Sequence, residues 1–266
     1  MLDVEYAQLS DLGRVRQQNE DYLGHTIPDS PARARSHGWL FALADGVGGN
    51  DDGEVASRLA VGTLLAGFES AVAGEPHASL LQRLIQAANT HVHEAGLASQ
   101  SGGRAMATTV VACALRFDRV TVAHVGDSRC YLIRRGRATP LTRDHTLANE
   151  QVRLGILSSG QASESASRHM LNRSLGSELF VNADICEHLL LPGDVLMLSS
   201  DGLHGAIGQS ELSAIVSEDA DLQATARKLV QLANERDGSD NVSLQLVRVL
   251  GVERVGMYRG RPYKLR

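Results

Sequence analysis

The chain has 266 residues, 43% of them hydrophobic, and a net charge of −5, which is enough apolar material to bury the core of one large domain or two small ones. The acidic balance speaks against nucleic-acid binding, whose affinity depends on basic side chains that neutralise phosphates. MLDVEYAQLSD has acids where a signal peptide needs basic and apolar residues, and no apolar run approaches the roughly 18 residues of a membrane span, so a cytoplasmic protein without a membrane span is expected.

In chain order, the first chemically dense stretch is SDLGRVRQQNED. If it is extended, Glu20 and Asp21 point to opposite faces and Arg16 lies on the Glu20 side. The planar guanidinium of Arg16 suits bidentate pairing with phosphate. Residues 30–37, SPARARSH, read as a mobile polar loop. An apolar strand over 39–44 then runs into Asp45, and Gly46, Gly48 and Gly49 allow backbone to approach a ligand, with the Gly46 carbonyl free to face a metal. Asp51, Asp52 and Glu54 suit the start of a helix, where acids complement the macrodipole. Helical periodicity follows over 54–72 and 77–97.

Strands are expected over 108–116, 119–125 and 129–134, a meander with turns at Asp118-Arg119, Gly126-Asp127-Ser128 and Arg135-Gly136. Residues 142–168 carry a short helical pattern and then SSGQASESAS, a polar insertion of the kind that forms lids. Two more strands, 184–190 and 194–199, lead to Asp201. A helix over 222–234 precedes Asp240 and a last strand over 241–249, and residues 250–266 form a C-terminal tail whose end, MYRGRPYKLR, reads as disordered. Helices clustered between groups of strands indicate an α+β domain rather than a βαβ repeat. Cys113, Cys130 and Cys186, odd in number and far apart in sequence, read as buried free thiols.

Asp45, Asp127, Asp201 and Asp240 all sit at ends of strand-like runs, and strand ends gather along a common sheet edge. Convergent carboxylates repel one another unless a cation neutralises them. An all-oxygen donor set selects hard ions such as Mg²⁺, Mn²⁺ or Ca²⁺ over zinc.

The ordered set RxxNED, ADGVGG followed by GE, GDSR, SDGL and SDN, spread over about residues 3–249, resembles the metal-dependent Ser/Thr protein phosphatases of the protein phosphatase 2C (PPM) family, bacterial branch. The resemblance implies an α/β/β/α sandwich of two antiparallel β-sheets flanked by paired helices, in one domain over residues 1–249 with a flap at about 142–168 and a tail at 250–266. It also implies hydrolysis of phosphoserine and phosphothreonine by water activated between two Mn²⁺ or Mg²⁺ ions. One ion would be held by Asp21, Asp45 and the Gly46 carbonyl, the other by Asp45, Asp201 and Asp240. Asp127 with Asp201 would hold a weaker third ion, Arg16 would orient the phosphate and Glu20 would support the site. Phosphorylated proteins and a cognate Ser/Thr kinase are the implied partners, and a monomer is expected.

Three positions depart from the family's pattern. Val47 stands where eukaryotic members have a His proposed as general acid, Gly205 stands where an acid often follows SDGL, and Asn50 stands where many bacterial members carry His. His204 is a candidate proton donor to the leaving alkoxide. Two other readings fit the residues: a pseudophosphatase that binds phosphoproteins, and a two-metal hydrolase of small phosphoesters. The intact acidic set speaks against the former.

Overall fold

The computed structural model describes residues 1–47, 52–99, 106–218, 220–258 and 261–264. Gly48, Gly49, Asn50 and Asp51, to which the sequence reading gave roles, lie outside the described residues.

Two five-stranded antiparallel sheets form the centre. The first has the order β1(Asp3–Asp11), β10(Val242–Gly251), β9(Val195–Ser199), β6(Arg129–Arg134), β7(Arg137–Pro140). The second has the order β2(Asp21–Thr26), β3(Trp39–Asp45), β4(Val110–Arg116), β5(Arg119–Val125), β8(Asp184–Leu189). Each sheet is covered on its outer face by a helix pair: α2(Gly53–Glu69) and α3(His77–Ala98) on the second, α7(Gln209–Glu218) and α8(Leu222–Arg236) on the first.

The alternation within single strands builds these layers. In β3, Leu40, Ala42 and Ala44 pack toward α2 and α3, while Trp39, Phe41 and Leu43 pack toward the other sheet. In β4, Val110, Ala112 and Ala114 face the helices, and Val111, Cys113 and Leu115 face the sheet. Burial on both faces explains why these strands read as continuous apolar runs, since antiparallel strands with one wet face alternate with polar residues. Small alanines on the helix side let α2 and α3 approach closely.

Helix ends follow local chemistry. The Asp221 side chain caps α8, accepting from Gln223 N and Ala224 N at 2.8 and 3.2 Å. Its apolar stripe, Leu222, Ala226, Leu229, Val230 and Ala233, is buried.

The structure corrects three expectations. Residues 31–36 form a short helix, α1(Pro31–Ser36), with Pro31 in its first turn and the Ser30 side chain as N-cap, rather than a mobile loop. In the supposed tail, β10 runs to Gly251 and β11(Val255–Tyr258) pairs with β12(Arg261–Lys264), giving a hairpin that separates polar sequence from lack of structure. The cysteines are free as expected, but Cys186 is only partly buried; Cys113 Sγ lies 3.4 Å from Cys130 Sγ across the two sheets.

The expected insertion carries α4(Leu147–Arg153), α5(Ser159–Glu164) and a 3₁₀ turn, Ala166–His169. Its base is closed by the bridge Thr146↔Leu171.

Candidate metal centre

One end of the sandwich gathers the acids. Asp21 opens β2 directly opposite Asp45 at the end of β3, so hairpin register alone sets these two side by side. Asp201 follows β9 and Asp240 precedes β10, which are paired neighbours in the other sheet. Asp127 occupies the turn from β5 to β6, which, like the connection from β1 into Asp21, passes between sheets.

Hydroxyls and one amide fix the frame. Ser200 Oγ donates to Asp21 Oδ2 at 2.8 Å and accepts from Ser243 N at 3.0 Å, which joins the sheets behind the carboxylates. Asn241 accepts from Glu20 N at 2.8 Å through Oδ1, and its Nδ2 donates to Leu12 O at 2.9 Å and Gln18 O at 3.1 Å. Thr109 Oγ1 accepts from Asp45 N at 3.0 Å. Gly46 N donates to Glu20 O at 3.0 Å, and a Cβ on Gly46 would meet Gly53 O at 2.3 Å, so only glycine fits there.

The electrostatics are those of too many carboxylates in too little water. Burial, with Asp201 and Asp240 nearby, raises Asp21 to about 7 against the hydrogen bonds from Ser243 and Ser200. Asp45 is pushed well above the carboxylate range by burial and by Asp21, Asp201, Asp127 and Asp240. Burial and then Asp201 raise Asp127 to about 7, and burial with Asp240 raises Asp201. The Asp201 and Asp45 carboxylates stand within hydrogen-bonding reach of each other. Asp21 Oδ1 is buried and has no hydrogen-bond partner. A buried orphan oxygen among acids that resist ionisation is a donor set short of a cation. The residues present therefore fit hard divalent ions.

Arg16 lies at this end as well. Its Nη2 donates to Asp240 Oδ2 at 2.9 Å, and Nη1 is 3.6 Å from Glu20 Oε2, although residues 12–20 bend rather than run extended, so strand alternation does not set this contact. Beside the acids opens a cleft of ≈ 590 Å³ lined by Asp127, Asp201 and Asp240 and, from the insertion, by Arg168 and His169. His169, which has no assigned role in the sequence motifs, lines the same cleft as Asp201.

His204 does not suit proton donation. Its Nδ1 is 3.1 Å from Ser199 Oγ, and burial, followed by Arg129 and His169, holds its pKa well below the usual range, so the ring is neutral. Gly205 is more than the absence of an acid: a Cβ there would lie 2.8 Å from Asp201 O.

The sequence reading missed the roles of Ser200, Ser243 and Asn241, although all three lie within or beside the SSDG and SDN motifs. It also missed Asp144, which holds Arg129 in two bonds of 2.8 and 2.7 Å beside the cleft.

Comparison with known proteins gives the same direction. The family model described as "Protein phosphatase 2C" matches residues 14–251. Protein phosphatase PhpP of Streptococcus pneumoniae is 32% identical over 247 residues, covering 92% of this chain and 97% of that protein. Among solved structures, the S. agalactiae serine/threonine phosphatase superposes with a TM-score of 0.84 at 31% identity, covering 93% of this chain and all (100%) of that one. The catalytic domain of the serine/threonine protein phosphatase PstP in complex with two manganese ions gives 0.79 at 29% identity, covering 94% and 100%.

Proposed function

The chain belongs to the protein phosphatase 2C family and is a protein serine/threonine phosphatase, and from this we propose that Asp21, Asp45, the Gly46 carbonyl, Asp201 and Asp240 hold two Mn²⁺ or Mg²⁺ ions, with Asp45 shared. Asp127 and Asp201 take a weaker third. The observation that carries this reading is the orphaned Asp21 Oδ1 among carboxylates raised by burial and mutual repulsion.

Bound, the ions supply a water of lowered pKa and offset charge on the phosphoryl oxygens. The chain supplies the rest. Arg16 presents a fork to the phosphate, and Glu20, 3.6 Å away, keeps that fork aimed. Ser200 holds the Asp21 carboxylate and Asn241 holds the Glu20 backbone N–H, so the acids do not reorganise when substrate arrives. Val47 offers no proton, and His204 is neutral, so the leaving alkoxide takes its proton from solvent in the open cleft.

No helix among the described residues is long and apolar enough to cross a membrane. The reading extends to a monomer in the cytoplasm acting on phosphoproteins against a Ser/Thr kinase. Residues 1–249 are the catalytic domain, 142–168 its flap and 250–266 an appendage. Hydrolysis of a phosphothreonine peptide with Mn²⁺, abolished by EDTA and restored by added ion, tests the proposal. Turnover that is unaffected by EDTA overturns it.

A further inference from the structure

His145 is buried, and its ring and backbone meet three separate parts of the chain. Its backbone N donates to Gly126 O at 2.9 Å, and Gly126 N donates back to ring Nδ1 at 3.1 Å, so the turn that carries Asp127 is clasped from both sides. Its carbonyl accepts from Asn172 N at 2.9 Å, on the strand leaving the insertion. Ring Nε2, buried and with no hydrogen-bond partner, faces Asp184 Oδ2 at 3.3 Å, while Asp184 Oδ1 accepts from Arg173 Nη1 at 2.8 Å. The His124 ring stacks on it at 4.6 Å and contacts Arg143 O at 2.9 Å through Nε2.

His124, His145 and Asp184 are close enough to hold an ion, with ligand atoms within 4.8 Å of one another. The tautomer argues otherwise. Nδ1 accepts a backbone N–H, so the single proton of a neutral ring sits on Nε2, the nitrogen that faces Asp184. A cation at Nε2 would have to displace that proton and leave an imidazolate. The parallel stacking of the two rings, 17° apart, also does not aim both at one point.

We propose that His145 is a positioning residue with two independent arms: Nδ1 fixes the Gly126-Asp127 turn beside the acids, and Nε2, through Asp184 and Arg173, fixes the exit of the 147–170 insertion. Glycine at 126 makes the first arm necessary. With φ at +103° and Thr109 Cγ2 2.6 Å from where a Cβ would sit, Gly126 fits tightly against Thr109 but has no side chain to hold its own end of the turn, whose far end is tied by Ser128 Oγ, 2.7 Å from Thr109 Oγ1. The consequence for catalysis rests on the role proposed above for Asp127.

The arms separate by substitution. Asn at 145 places an amide oxygen near the position of Nδ1, and Gln places its amide nitrogen near Nε2. In metal-free protein, His145→Ala should speed amide exchange at Gly126 by about 10-fold, the loss of one buried hydrogen bond, and speed proteolytic nicking within 147–170. His145→Asn should restore slow exchange but not protease resistance. His145→Gln should restore resistance but not slow exchange, and Asp184→Ala should be nicked quickly with Gly126 still protected. With Mn²⁺ present, the Asn variant should recover the metal requirement and the Gln variant the peptide KM. Unchanged Gly126 exchange in His145→Ala, or Asn and Gln variants that do not divide the two readouts, overturns the proposal. If the readouts divide as expected but Asp127→Ala leaves the metal requirement unchanged, the clamp stands and the reading of Asp127 fails.

Discussion

Arg16 donates through Nη2 to Asp240 Oδ2 at 2.9 Å, although 224 residues separate them in sequence. The guanidinium proposed to grip phosphate is thus half engaged by an acid proposed to hold metal. It neutralises part of the cluster before any ion or substrate enters.

Arg16→Ala should therefore lower kcat/KM by about 10²-fold, the loss of a charge-assisted fork worth on the order of 3 kcal/mol. Part of the loss should appear in KM, because ground and transition states share the contact. Mn²⁺ affinity should not fall, since Asp240 loses a competitor for the ion. Calorimetric titration that shows weakened metal binding would make Arg16 a strut of the site instead.

Asp201→Asn should abolish turnover and leave the fold intact. In the absence of metal its melting temperature should equal or exceed the wild-type value, because one carboxylate within reach of Asp45 has become neutral. A less stable metal-free variant contradicts the repulsion argument.

The pH dependence of the metal-free protein follows from Asp21 and Asp127, both raised to about 7 by burial. Between about 4 and 7 these two groups hold protons in the folded chain that the unfolded chain has released, so their contribution to stability is greatest at the acid end and declines as pH rises. Above about 7 this contribution levels off. Saturating Mn²⁺, which binds the ionised acids, should reverse the slope; melting curves at pH 5, 6 and 8 with and without ion read the sign.

His77 acts in the opposite sense. Its Nε2 contacts His37 O at 2.7 Å beside the Phe68 ring, and burial, then Arg116, lowers it to about 4. As pH falls from about 6.5 to about 4 the unfolded chain takes up a proton that the folded chain refuses, at a cost on the order of 3 kcal/mol. Above about 6.5 the two states are equally neutral there. His77→Gln should flatten the acid limb of the urea midpoint against pH, and an unchanged limb removes His77 from the account.

Gly205→Ala tests the close approach to Asp201 O, 2.8 Å from a new Cβ. The helical turn Asp201–His204 must shift, so activity should drop at least about 10-fold while the melting temperature changes by only a few degrees. Wild-type kcat in this variant would show that the turn gives way freely.

What could be read from the sequence depended on how locally each feature was determined. Strands β3, β4, β5 and β9 were visible because both of their faces are buried, and the stripes of α3 and α8 because one face is. β1, with most of its residues half-exposed, and the short β2 lacked such a signal, and α7 was passed over. The acids were legible as acids at strand ends. The groups that aim them were not, because Ser200 matters only where Asp21 arrives from the other sheet, and Asn241 only where residues 12–20 pass beside it. His145 had the same difficulty: DH marks a place in a motif, but its partners at 126, 172 and 184 meet only in the folded chain.

The pairing of β1 with β10, residues 3–11 against 242–251, sets the order in which the molecule can come into being. Asp21 and Asp45 meet early, in a hairpin about twenty residues across. Of the site residues Asp240 and Asn241 emerge last during synthesis, and until they dock the 12–20 segment lacks the Asn241 bonds to Leu12, Gln18 and Glu20. Closing a contact over more than 200 residues is the slow, entropy-limited step. A ribosome-bound chain therefore carries an unfinished phosphatase with two of its acids in place and no means of hydrolysing a neighbour's phosphate, and competence arrives only once β10 has docked.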